Sequence, residues 1–174
     1  GTLTVAADGT YTYTANTAAA EALADGVQQT DVFTYTVKDD DDKNSSQATL
    51  TITVTGKDDD PVASADTGTA TEDGPQVSVD AASGVLANDT DVDAGQTLVV
   101  SAVGGNGAAV GQDVTGSLGT LNLDADGSYT YIADQAGADA ITAGQTATDT
   151  FNYTLSDGAG TTSTVNLVIT VTGK

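Results

Sequence analysis

The chain has 174 residues, with 25 Asp and Glu against 4 Lys and no Arg, and a formal charge of −21. Nothing here can neutralise phosphate, which excludes nucleic acid and, on the same ground, an anionic membrane surface as partners. Cys, Met, Trp and His are absent, so disulfides, soft metal sites and the commonest general base are excluded, and the remaining oxygen ligands suit Ca²⁺ or Mg²⁺.

In chain order, Leu3 and Val5, then Tyr11 and Tyr13, alternate with Thr or Ala. That period of two predicts half-buried strands. Asp8-Gly9 between them predicts a hairpin turn, because glycine supplies the positive φ that such turns need. Ala18 to Ala24 reads as a helical turn or a loop. Phe33-Tyr35-Val37 and Leu50-Ile52-Val54 predict two more strands, and the acidic run Asp39 to Asp42 between them a solvated turn. Val77-Ser78-Val79 and Leu98 to Val103 predict further strands, and Gly104 to Gly107 a flexible turn. No apolar run reaches the length of a membrane span and no signal-peptide pattern opens the sequence, so a soluble piece of something longer is expected.

The sequence repeats itself. Gly1-Thr2-Leu3 to Tyr11-Thr12-Tyr13 returns as Gly119-Thr120-Leu121 to Tyr129-Thr130-Tyr131. Asp31-Val32-Phe33-Thr34-Tyr35 returns as Asp149-Thr150-Phe151-Asn152-Tyr153, and Leu50 to Lys57 returns as Leu167 to Lys174. Residues 1–57 are therefore expected to be the second half of one repeat, and 58–174 one whole repeat. Short strands between turn signals predict an all-β fold, a β-sandwich in tandem, with a core of Val, Leu, Ile and Ala. What the half-repeat 1–57 pairs with stays open: it pairs with another chain, packs irregularly, or is the ordered remnant of a longer polypeptide. A permuted unit, 1–118, is also open.

Between the repeats stands Lys57-Asp58-Asp59-Asp60-Pro61. Adjacent carboxylates repel by roughly 1 kcal/mol per pair at about 4 Å in bulk water, so a shared cation favours such a cluster. Proline pushes Asp60 towards an extended conformation. A cation-clamped joint is expected. Asp89, Asp91 and Asp93 alternate like ligands one, three and five of a Ca²⁺ loop, but Ala94 and Val100 replace the Gly and Glu of an EF-hand. An oxygen-rich loop is expected here, against the alternative of an Asx-rich turn. Glu72-Asp73 forms a further acidic turn, and Asp157-Gly158 a hairpin turn first and a ligand second.

Thr71-Glu72-Asp73, Gly84 to Asp93, Gly119-Thr120-Leu121, Asp126 to Tyr131, Asp149 to Tyr153 and Asp157-Gly158 together resemble the VCBS-type, cadherin-like repeats of giant bacterial RTX adhesins. The resemblance covers 58–174, and 1–57 resembles the family's C-terminal half. It implies a tandem Ig-like or cadherin-like β-sandwich in a secreted, cell-surface adhesin. There it would be a non-enzymatic extender that meets neighbouring repeats of its own chain, with Ca²⁺ stiffening the joints and the adhesive target held by other domains. Carried over, the implied metal ligands are Asp58, Asp59, Glu72, Asp89, Asp91 and Asp93, with Asp60, Asp73 and Asp157 as further candidates. The family's linker usually reads Thr-Asn-Asp-Ala-Pro, so Asp58 replaces an Asn and Asp60 an Ala.

Two other functions compete. A ligand-binding module would use end loops to hold a glycan or a surface protein, but no Trp offers a sugar platform, and Tyr129 and Tyr131 read as core. Ca²⁺-dependent self-processing would cut the labile Asp60-Pro61 bond, for which a proline after an acidic linker already has a structural reason. A Lys–Asn or Lys–Asp crosslink is disfavoured because Lys38 becomes Ser156 in the other repeat.

Overall fold

The computed structural model describes residues 1–39, 41, 43 and 46–174. Asp40 and Asp42 of the acidic run lie outside the described residues. The chain divides into two compact units, residues 1–59 with 92–95 and residues 60–91 with 96–174. Among the described residues, no helix is long and apolar enough to cross a membrane.

The first unit contains strands β1 (Thr2–Val5) and β2 (Tyr11–Thr14), a one-turn helix α1 (Ala18–Glu21), and strands β3 (Gln28–Tyr35) and β4 (Ala48–Thr55). The Asp8-Gly9 turn forms with Gly9 at φ 85°. It sets Leu3 opposite Tyr13 and Val5 opposite Tyr11 across an antiparallel pair. β3 and β4 pair along their whole length, from Gln28↔Thr55 to Tyr35↔Ala48. In β4 the Thr residues are exposed while Leu50, Ile52 and Val54 are half-buried, as the period-two pattern requires. Val37 lies beyond the end of β3. The alternatives at Ala18 to Ala24 resolve to the short helix α1.

The second unit contains β5 (Asp66–Thr71), β6 (Val77–Val79), β7 (Val99–Val103), β8 (Asp113–Thr115), β9 (Thr120–Leu123), β10 (Tyr129–Ile132), the short helix α2 (Ala136–Asp139), β11 (Thr146–Ser156) and β12 (Thr162–Thr172). One sheet runs β6-β10-β9-β8 and the other β5-β12-β11-β7. All pairs are antiparallel except β5 on β12, which is parallel from Asp66↔Leu167 to Thr71↔Thr172. The two sheets close on one core. Leu121, Leu123 and Tyr131 come from one side, and Tyr153, Leu167, Ile169 and Val171 from the other, all almost fully buried. Each such aliphatic side chain contributes about 1.5–3 kcal/mol by leaving water. The ring of Tyr131 meets Phe151 edge-to-face with centroids 6.1 Å apart. Val85, on the connection from β6 to β7, is fully buried in the same core. The fold is an all-β sandwich.

β5 and β8 were not predicted. β5 reads Asp-Thr-Gly-Thr-Ala-Thr, with no large apolar side chain to mark a face. Gly68 explains its composition: a Cβ there would stand 2.6 Å from Ile169 Cδ1 and 2.8 Å from the Tyr129 hydroxyl. The strand crosses the core where only a bare backbone fits. The Gly104 to Gly107 turn is tied rather than loose. Gly104 N–H donates to the Asn152 carbonyl at 2.9 Å, and the Asn106 side chain accepts from Ala108 N–H at 3.0 Å.

Candidate functional site

The acidic residues of interest fall into five places. In the first unit, the Asp59 N–H donates to Asp93 Oδ2 at 2.8 Å. The Asp93 side chain is buried, and the next residue anchors it, Ala94 N–H donating to the Ala22 carbonyl at 3.1 Å. The sequence-predicted linker and loop acids thus meet at Asp59 and Asp93. Asp58 is half-buried and Asp60, in the second unit, exposed.

In the second unit a different group converges. Asp89 Oδ1 accepts from the Ser64 N–H at 2.7 Å, and an antiparallel bridge of Val62 with Thr90 holds the two segments together. The Tyr153 hydroxyl, raised from the middle of β11, faces Asp66 Oδ2 at 2.8 Å, the Val85 carbonyl at 3.0 Å and Asp89 Oδ2 at 3.5 Å. A phenol has one proton to donate, so three acceptor oxygens share a single donor. Burial first, then Asp89's negative charge, holds the Asp66 carboxyl above its ordinary value, although the Tyr153 hydroxyl pulls it down. Burial likewise raises Asp89. The same burial, the Asp66 hydrogen bond and both negative charges push the Tyr153 phenol up. Asp66 and Tyr153 were not among the predicted ligands. Only the half-buried Asp at the head of an unrecognised strand could have pointed to them.

Glu72 follows the far end of β5 from Asp66, roughly 20 Å away at strand rise. Its Oε2 accepts from the Lys174 N–H at 2.9 Å, and its own N–H donates to the Thr172 carbonyl at 2.9 Å. Glu72 and Asp89 therefore occupy opposite ends of the unit and cannot share one ion. Asp73 follows with φ 52° and is exposed. Asp157 folds onto its own turn. It accepts from the N–H groups of Ala159 at 2.7 Å and Gly160 at 3.1 Å and from the Thr161 hydroxyl. The hydroxyl first, then these N–H groups, lower its carboxyl against the opposing effect of burial. Its acceptor capacity is largely used in forming the hairpin.

The fifth place was also missed. Asp149 on β11 is buried and accepts from the N–H groups of Ser117, Leu118 and Gly119, each at 3.0 Å, the Ser117 hydroxyl at 2.9 Å and the Tyr131 hydroxyl at 3.0 Å. Burial is the largest influence and raises its carboxyl, but together these donors outweigh it and lower the value. A Cβ at Gly116 would overlap both this carboxylate and the Phe151 ring, so the loop needs a glycine there. Asp31 is its counterpart in the first unit and accepts from the Tyr13 hydroxyl at 2.6 Å. The shared Asp-x-Phe-x-Tyr pattern in both repeats was the available sign.

Among the described residues, no three Asp or Glu side chains gather closely enough to make a metal-binding group. In donor chemistry the Asp66, Asp89 and Val85 oxygens do fit a hard cation: they are all oxygen, and they outnumber the protons aimed at them.

The sequence profile of the bacterial cadherin-like domain matches residues 1–56 and again 58–173. Similar solved structures include Protocadherin Gamma B2 extracellular cadherin domains 3–6, at 15% identity and TM-score 0.41, covering 84% of this chain and 32% of that one. The Protocadherin gammaB7 EC3-6 cis-dimer structure aligns at 16% identity and TM-score 0.43, with 84% and 32% covered. The Protocadherin GammaB4 extracellular domain aligns at 14% and 0.42, with 84% and 22% covered. The chain thus spans a third or less of the length of each. No curated protein matches. With two successive matches spanning nearly its whole length, the chain belongs to the bacterial cadherin-like domain family.

Proposed function

We propose that this chain is a structural extender segment of a secreted, cell-surface bacterial adhesin of the RTX type, in which Ca²⁺ stiffens a tandem array of sandwiches. The observation that carries this reading is the succession of two family matches in one acidic chain. The residues that would hold Ca²⁺ are Asp58, Asp59 and Asp93 in the first unit, and Asp60, Asp89 and Asp91, joined by Asp66, in the second. Glu72 and Asp73 would serve at the other end of the second unit, with Asp157 as a lesser contributor. When bound, Ca²⁺ supplies positive charge among carboxylates that otherwise repel and draws oxygens from more than one loop into its shell. The chain's own part is to place Asp89 by the Ser64 N–H and Asp66 by the Tyr153 hydroxyl, so that their ordering cost is met before an ion arrives. Neighbouring repeats of the same chain are the partners in this reading, and the adhesive target belongs to other domains.

Small-angle scattering and calorimetry of the same sample test it. With calcium in place of chelator, the maximum dimension is expected to lengthen, titration to give heat, and the melting temperature to rise. Free calcium at about 100 times Kd corresponds to about 2.7 kcal/mol of added stability. Equal dimensions in calcium and chelator, with no heat of binding, would remove the calcium part of the reading.

A further inference from the structure

Apart from the acidic places described above, the second unit brings a hydroxyl, a carboxylate and a primary amide into mutual contact. Thr120 opens β9 and pairs with Ile132 at the end of β10. Asp134 and Gln135 follow on the turn into α2. The Asp134 N–H donates to the Ile132 carbonyl at 3.1 Å and the Gln135 N–H to the Leu118 carbonyl at 3.3 Å, so all three backbones are pinned. The Thr120 hydroxyl donates towards Asp134, with Oδ1 at 2.9 Å and Oδ2 at 3.1 Å. Gln135 Nε2 donates to the same Oδ1 at 2.9 Å and lies 3.4 Å from Thr120 Oγ1. One carboxylate oxygen therefore touches both a hydroxyl that can lose a proton and an amide nitrogen that can leave with one.

Capping does not account for Gln135. It is the N-cap residue of α2, where Ser, Thr, Asp or Asn serve best, and its side chain makes no cap hydrogen bond. The side chain turns back to Thr120 instead. The other repeat keeps only part of the set, with Thr2, Asn16 and Thr17 at the corresponding positions. There the Thr2 hydroxyl donates to Asn16 Oδ1 at 2.9 Å. Holding the strand-opening threonine thus requires neither a carboxylate nor a glutamine, and their joint presence at 134 and 135 calls for another reason.

We propose that Thr120 and Gln135 form an intramolecular ester, with Asp134 as the catalytic base. Thr120 Oγ1 attacks Gln135 Cδ while Asp134 takes the hydroxyl proton. The bond from Cδ to Nε2 then breaks, Asp134 returns the proton to the leaving nitrogen, and one ammonia departs. Atoms and electrons balance without a further reactant. A primary amide is a poor electrophile, and placement compensates: effective molarities of well-oriented intramolecular groups reach roughly 10⁵–10⁸ M. Gly127, at φ 84°, already turns the chain at one end of the β9–β10 hairpin. The ester closes the other end and makes a covalent ring of two strands at the centre of their sheet. A chain without Cys gains by this route the constraint that a disulfide gives elsewhere. The bond is independent of calcium.

Intact mass spectrometry of the folded full chain, fresh and after prolonged incubation at neutral pH, tests it. A mass lower by one ammonia is expected. After denaturation, chymotrypsin cuts behind Leu123, Tyr129 and Tyr131, and the peptides carrying Thr120 and Gln135 are expected to stay joined until hydroxylamine separates them. Thr120→Val and Asp134→Asn are expected to keep the full mass, and Thr120→Ser to lose the ammonia again. The proposal is overturned if the wild type keeps its full mass, or if its amide NH₂ is merely exchanged for OH. It is also overturned if ammonia is lost without joined peptides, or if either Thr120→Val or Asp134→Asn loses it as the wild type does. The joined wild-type peptides decide the matter even where a variant fails to fold.

Discussion

Asp149 is buried, yet three backbone donors and two hydroxyls hold it in its charged form. Replacing it with Asn turns one acceptor into a donor aimed at N–H groups. Asp149→Asn is expected to cost about 2–3 kcal/mol in chemical denaturation at neutral pH, and a loss under half of that would deny the carboxylate its role. Asp66 and Asp89 work the other way. Burial raises their folded values from the ordinary one, so their contribution to stability is present below the ordinary value and is lost as pH rises through the raised values. For Asp149, whose value is lowered, the contribution is present above the ordinary value and is lost as pH falls through the lowered one. In chelator the melting temperature is therefore expected to climb as pH drops from neutrality towards about 4, then to fall. Asp89→Asn is expected to flatten the climb, and a wild-type profile without it would deny the pair its strain. Beyond the repeated Asp-x-Phe-x-Tyr pattern, this was not legible from sequence. Asp149 finds its donors some thirty residues away, and Asp66 finds Tyr153 across the core, whereas Asp8 and Asp126, which cap Thr10 and Ser128 two residues on, could be read from the turn alone.

Strands announced themselves where a face had to be apolar. β4, β11 and β12 alternate Thr or polar residues with Leu, Ile, Val and aromatics, and the pattern predicted them. β5 escaped because its place against the core demands smallness. Gly68→Val tests that account: the new side chain would meet Ile169 and the Tyr129 hydroxyl, and the second unit is expected to lose about 1–3 kcal/mol with faster exchange of the β5 amides. An unchanged melting curve would mean that the sheet yields there. β8 escaped because three residues, Asp113 to Thr115, are too few for a period to show. The short helices α1 and α2, each four residues, carry almost no propensity signal of their own.

At the scale of the molecule, the repeat was the most informative thing in the sequence. It set the all-β expectation and the family resemblance, and the profile match over 1–56 and 58–173 agrees with both. The carboxylate groupings were less visible. Alternation at Asp89, Asp91 and Asp93 suggested one loop acting together, yet Asp93 partners Asp59 in the first unit while Asp89 partners Ser64 in the second. Glu72 turned out to stand by Lys174. Spacing along a chain says which oxygens are near neighbours in sequence, and the register of β5 on β12 decides which end of the sandwich each one reaches.

That register has a mechanical side. The second unit is entered just before β5 and left just after β12, and these two strands run the same way across adjoining positions of one sheet. Tension drawn between entry and exit therefore slides β5 along β12 and loads all their hydrogen bonds in shear at once, where an antiparallel pair pulled from one end would unzip bond by bond.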